Sequence, residues 1–175
     1  LALFLWVERS ADEPLFPLDL FSQRVMAVAS ATGALVGAAM ISVVTVVPSF
    51  GLHEIEPLAA GAQVVKVPMS AVLDFDLEAL ETAIATGPRI VFLSSPWNPV
   101  GPALASASLQ RPSKAVRPGT LFVLDEAYFE FADPGGVDAI DTLRASGVPH
   151  VVLRTFSKAY GLAGLRVGFG IAHPE

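Results

Sequence analysis

Five short apolar runs, each broken off by a polar, glycine or proline cluster, constrain this chain more than any other feature. They occupy residues 41–47, 63–67, 90–93, 121–124 and 151–153 and are dominated by Val, Ile, Leu and Phe. Runs this short and this rich in β-branched side chains fit buried strands better than helices. Helical patterning fills the gaps. Asp76-Leu77-Glu78 sets acidic residues at the positive end of a helix whose buried face is Leu77, Leu80 and Ile84, and Gly87-Pro88 stops it. Val137, Ile140 and Leu143 mark a second helix, ended by Gly147 and Pro149. Ser49 is expected to cap a segment running to Ala60, which Gly61 closes. A further helix is expected over 104–116, with Pro112 interrupting it. Strand alternating with helix defines an α/β fold with a mostly parallel sheet, because parallel neighbours need a crossover between them.

Residues 1–24 hold Pro14 and Pro17, which break any helix, and are set apart as an atypical N-terminal segment ahead of a domain spanning 25–175. No charged side chain occurs over 25–47, a stretch long enough to raise a transmembrane helix. Much of it is Ala, Gly, Ser and Thr, and no positive flank would orient it, so a helix leading into the strand at 41–47 is preferred. A formal net charge of −6 and the lack of any Lys/Arg run argue against a nucleic-acid partner. Cysteine is absent, which excludes disulfides, thiolate metal sites and cysteine nucleophiles. His150 and His173 have no metal-ligand spacing, and no metal is expected. The opening residues lack the positive flank of a secretory signal, so the cytoplasm is the default location. Both Leu1 and Glu175 read as interior points of a longer protein.

Chemistry gathers where the last three runs end. Asn98, Asp125 and Lys158 each follow an apolar strand. In a parallel sheet the strand ends share one edge, so all three can face one crevice. Lys158 is one of only three lysines, with Lys66 and Lys114, and lies where an amine could be desolvated and made nucleophilic. Ser157 and Arg166 flank it with a hydroxyl and a guanidinium, a pairing suited to phosphate. Arg154 is expected to pair with a carboxylate and brace this loop. The run Leu121-Phe122-Val123-Leu124-Asp125-Glu126 also fits nucleotide hydrolases, but the phosphate loop they need, G-x-x-x-x-G-K-[ST], does not occur.

The stretch Arg154-Thr155-Phe156-Ser157-Lys158-Ala159-Tyr160-Gly161-Leu162-Ala163-Gly164-Leu165-Arg166 resembles the cofactor-lysine segment of the pyridoxal-phosphate (PLP) aminotransferases of fold type I, and among them the histidinol-phosphate aminotransferase branch. Pro96-Trp97-Asn98-Pro99-Val100-Gly101 is similar to that family's Pro-Asn-Asn-Pro-Thr-Gly. Asp125-Glu126-Ala127-Tyr128 matches its Asp-Glu-Ala-Tyr, and Phe129-Glu130-Phe131 continues in the manner of the same branch. The resemblance covers about residues 41–175 and implies the three-layer αβα large domain of this fold, truncated. Ser10-Ala11-Asp12-Glu13 resembles the family's glycine-rich phosphate turn but lacks the glycines and lies too far from the next motif, so it is read as coincidence.

From the resemblance follow roles. Lys158 would hold the cofactor aldehyde covalently and then move the substrate proton, which makes it the catalytic residue. Asp125 would keep the pyridine nitrogen protonated, Asn98 and Tyr128 would serve the ring oxygen, and Ser157 and Arg166 the phosphate. His53 stands where the family commonly has tyrosine, and its ring is expected to stack on the cofactor. The implied reaction converts L-histidinol phosphate and 2-oxoglutarate to imidazole acetol phosphate and glutamate, a step of histidine biosynthesis, in a homodimer. Related readings are an aromatic aminotransferase, a threonine-phosphate decarboxylase, or a fragment that binds PLP without turnover. The family's glycine-rich turn, dimer-crossing arm, small domain and substrate-carboxylate arginine would all lie outside this chain.

Overall fold

The structure is a computed structural model and describes residues 42–132 and 139–172, all within one compact unit, Met40–Glu175. The expectations for 1–41, and for Val137 and His173, lie outside the described residues. In chain order the elements are β1 (Ser42–Val47), α1 (Leu52–Ala59), β2 (Gln63–Pro68), α2 (Leu77–Ile84), β3 (Ile90–Ser94), α3 (Ser106–Ala115), β4 (Leu121–Asp125), α4 (Ala139–Ser146), β5 (His150–Thr155) and β6 (Gly168–Ala172). Short 3₁₀ turns at Phe129–Phe131 and Ala163–Leu165 flank the last helix and the last strand.

The six strands form one sheet in the order β2-β1-β3-β4-β5-β6. All neighbours run parallel except β5 and β6, which are antiparallel. A parallel sheet covered on both faces needs apolar residues on both sides of each strand. Val43, Val44, Val46, Val91, Leu93, Phe122, Leu124 and Val152 meet that need, each at most 1% exposed. The step from β1 to β2 runs one way along the sheet, and the steps from β2 to β3, β3 to β4 and β4 to β5 run the other way. With right-handed crossovers, α1 then lies on one face and α2, α3 and α4 on the opposite one. Consistent with this, α1 packs on β1 and β2, while α2 meets α3 and α3 meets α4. No helix among the described residues is long and apolar enough to cross a membrane.

Local signals account for most boundaries. Asp76 caps α2 by accepting from the Ala79 N–H at 3.0 Å, and Leu80, Ala83 and Ile84 form its buried face. Two expectations need correction. Ser49 does not cap α1, whose N-cap is Gly51 without a side-chain bond. Its hydroxyl is taken by the His53 ring instead. Nor does Pro112 interrupt α3: the helix runs through it, and Leu109, Pro112 and Ser113 are its buried residues. A mid-helix proline costs about 3 kcal/mol, and here the ring offsets part of that by packing into the core. Gly168 shows why β6 can pair so closely with β5, since a Cβ built there would lie 2.8 Å from the Arg154 carbonyl oxygen.

Candidate active site

The C-terminal ends of β1, β3, β4 and β5 release their loops along one edge of the sheet. Asp125 is the last residue of β4, in register with Ser94 of β3 and Leu153 of β5. Its side chain is held from two directions. The Ala127 N–H donates to Oδ1 at 2.9 Å, and His53 Nε2 lies 3.1 Å from Oδ2. The other ring nitrogen of His53, Nδ1, is 3.1 Å from Ser49 Oγ. A neutral imidazole with its hydrogen on Nε2 satisfies both contacts, donating to the carboxylate and accepting from the hydroxyl. The result is a Ser49–His53–Asp125 chain that carries one end of β1's loop onto the end of β4.

His53 is buried, because α1 begins at Leu52 and turns the next residue toward the sheet. Its ring stacks on Phe92, with centroids 4.8 Å apart and planes 19° from parallel. Phe50 meets it edge-on at 5.8 Å. One ring face that a stacking role would use is thus taken by Phe92, and the exposed aromatic ring at the end of β1 is Phe50. His53 joins the site through the Asp125 carboxylate.

Lys158 sits in the loop between β5 and β6. Three backbone bonds close that loop on itself: Phe156 N–H to Val167 O, Leu162 N–H to Phe156 O and Gly161 N–H to Lys158 O, at 3.0–3.2 Å. The Lys158 Nζ stands 5.1 Å from the centroid of the Tyr128 ring, within cation–π range. Lys158 is exposed, so the described residues do not supply the desolvation that its position after a strand suggested. Ser157 is half-buried and its N–H donates to Thr155 Oγ1 at 3.1 Å. Arg166 takes a left-handed backbone conformation, φ 50°, and its guanidinium donates to the Ala163 carbonyl at 3.1 Å. Ser157 and Arg166 therefore share the Lys158 loop, with the Arg166 head group turned to its own turn.

Asn98 and Tyr128 line a neighbouring cleft of about 440 Å³ with Trp97, Gly101 and Phe131. Behind Tyr128 the expected brace is present. Arg154 Nε and Nη2 each approach Glu126 Oε2 at 2.8 Å, and the guanidinium lies 3.7 Å over the Phe129 ring. Glu126 is 3% exposed, so this ion pair ties the start of the β4 loop to the end of strand β5 beneath the surface. The structure thus joins His53, Asp125 and Ser49 directly and sets Lys158 against Tyr128. It places Asn98 beside Tyr128 and leaves Ser157 and Arg166 on the loop that carries the lysine. Ser49 and Trp97 are the residues whose part in the site the sequence did not reveal.

A carboxylate held at the end of β4, with a phenol on the same loop and an amide and an amine on the loops of the neighbouring strands β3 and β5, fits an α/β domain of the kind that binds ligands at the C-terminal sheet edge. The sequence matches the family Aminotransferase class I and II over residues 23–175, and the chain belongs to that family. It is 48% identical over 133 residues to histidinol-phosphate aminotransferase 3 of Rhizobium meliloti (strain 1021), covering 74% of this chain and 35% of that protein. It is also 47% identical over 127 residues to an aromatic amino acid aminotransferase of Rhodococcus jostii (strain RHA1), covering 72% and 35%. Among solved structures, histidinol-phosphate aminotransferase from Sinorhizobium meliloti in complex with pyridoxal-5'-phosphate superposes with a TM-score of 0.69 at 30% identity, over 80% of this chain and 39% of that one. The chain spans about a third of the length of the curated relatives it matches. Architecture and relatives agree on a fold type I large domain.

Proposed function

We propose that this chain is the cofactor-binding part of a PLP-dependent transaminase, with histidinol phosphate as its amino donor and 2-oxoglutarate as acceptor. One observation carries the reading: Asp125 is fixed at the end of β4 by Ala127 and His53, while Lys158 stands over Tyr128 on the adjoining loop. The donor set fits the cofactor. Asp125 would pair with the pyridine nitrogen, and His53 would hold that carboxylate in place. Asn98 and Tyr128 would donate to the ring oxygen, Ser157 and Arg166 to the phosphate, and Lys158 Nζ would carry the covalent link. When bound, PLP supplies the electron sink that acidifies the substrate carbon. Lys158 Nζ, as a free amine, would be the base that takes a proton from the substrate carbon and, as an ammonium, the acid that gives it back. The Arg154–Glu126 pair would hold the β4 loop that carries Tyr128 against the end of β5, from which the Lys158 loop leaves.

The whole protein would act as a homodimer in the cytoplasm, in histidine biosynthesis. An aromatic aminotransferase is the second reading, favoured by the relatives of that name at similar identity. The two separate when the PLP-loaded protein is offered L-histidinol phosphate or L-phenylalanine and the oxo products are measured by mass spectrometry. Faster product formation from histidinol phosphate is expected. Preference for phenylalanine would transfer the assignment to the second reading, and cofactor uptake with no product from either would favour a non-catalytic PLP-binding fragment.

A further inference from the structure

The connections from β1 and β3 diverge, one leading to β2 and the other to β4, and it is between two such strand ends that an open α/β sheet leaves a crevice. Trp97 sits at the end of β3, where the crevice would open. It is 1% exposed, its ring lies 4.4 Å from that of Phe75, and its indole Nε1–H donates to the Pro48 carbonyl at 2.6 Å. Pro48 follows β1 and begins the segment that carries Ser49 and His53. Trp97 itself precedes Asn98. Its own backbone is closed into a tight loop, the N–H donating to Pro102 O at 2.7 Å and the carbonyl accepting from Gly101 N–H at 2.6 Å.

The structure assigns Trp97 the role of a positioning residue, a latch that fixes Asn98 relative to Asp125 by pinning the β3 loop to the β1 loop. The path is continuous: Asn98 adjoins Trp97, Trp97 holds Pro48, and the Pro48 loop reaches Asp125 through His53. Only an indole combines the bulk that fills this space with an N–H donor at its far edge, and a buried donor that has found a carbonyl is costly to replace. The family motif matched by this segment has asparagine at the corresponding position, so the latch is a property of this chain rather than of the motif. The inference rests on the reading that Asn98 and Asp125 hold PLP, and its test has one arm that does not depend on that reading.

Trp97→Phe keeps an apolar ring and removes the donor. PLP affinity is expected to fall about three- to tenfold, the effect of one neutral hydrogen bond. In an Asn98→Ala background the same change is expected to have no further effect, because the coupling runs through Asn98. A purely structural role would give equal losses in both backgrounds, and that result overturns the proposal. Independently of cofactor, amide exchange at Gly101 is expected to quicken about tenfold in Trp97→Phe, and an unchanged rate also overturns it. If the unsubstituted chain takes up no PLP, the functional reading fails while the exchange result still decides the latch. If Trp97→Phe does not fold, benzothienylalanine placed at position 97 keeps the bicyclic ring, lacks only the N–H, and is read by the same two measurements.

Discussion

Replacing His53 by Phe separates two things an aromatic ring at this position can do. The phenyl ring preserves the stack on Phe92, worth about 0.5–1.5 kcal/mol, and would also preserve any stacking on a cofactor. It removes the 3.1 Å contacts to Asp125 and to Ser49. A hydrogen bond to a charged acceptor contributes about 1.5–3 kcal/mol and a neutral one about 1 kcal/mol. The Asp125 side chain is 17% exposed, so solvent replaces little of what is lost. His53→Phe should therefore cost about 2–4 kcal/mol in urea unfolding, and lower Tm by about 5–15 °C for a chain of this size. The greater bulk of Phe confounds a single variant. A cycle with Asp125→Asn cancels it, and should return a coupling of about 1.5–3 kcal/mol. PLP affinity should weaken about tenfold, since Asp125 loses one of its two supports. A coupling within about 0.5 kcal/mol of zero, or unchanged PLP affinity, would refute the view that His53 acts through Asp125.

Other parts of the structure give simpler expectations. Gly168→Ala brings a Cβ to 2.8 Å from the Arg154 carbonyl, which should cost about 1–3 kcal/mol; Gly164→Ala meets nothing within 4 Å and should differ from it clearly in the same denaturation assay. Asp76→Ala removes the α2 cap and should lower stability by about 1 kcal/mol, with amide exchange at Ala79 rising in step. Leu143→Ala empties a fully buried position under α4 and should cost about 2–5 kcal/mol. Arg154→Lys should weaken PLP binding with less effect on folding, because an ammonium can reproduce the charge near Glu126 but not the planar contact over Phe129.

The central parallel strands were legible because a strand buried on both faces reads as a plain apolar run, the edge strand β2 carries a similar run with only Val67 buried, and Asp76 was legible because capping is local in sequence. What escaped detection depends on residues far apart. Nothing near Trp97 announces that its partner is the carbonyl of Pro48, and although Ser49 and His53 are only four residues apart, the ring that takes the hydroxyl is set in place by the distant Phe92 and Asp125. The place of His53 follows from Phe92, on a strand that arrives only after another strand and helix have been threaded. Pro112 shows the opposite failure, a strong local rule outweighed by burial. The polar ends Asn98, Asp125 and Lys158 could be set on one edge from pattern alone, but their supports could not, since those are made by loops whose geometry no periodicity records.

Whether Lys158 is the amine that holds PLP is decided by adding PLP, reducing with borohydride and mapping the modified peptides by mass spectrometry. The adduct is expected on Lys158, with Lys66 and Lys114 unmodified and the signal lost in Lys158→Ala. Modification spread equally over the three lysines, or absent from Lys158, would contradict this assignment.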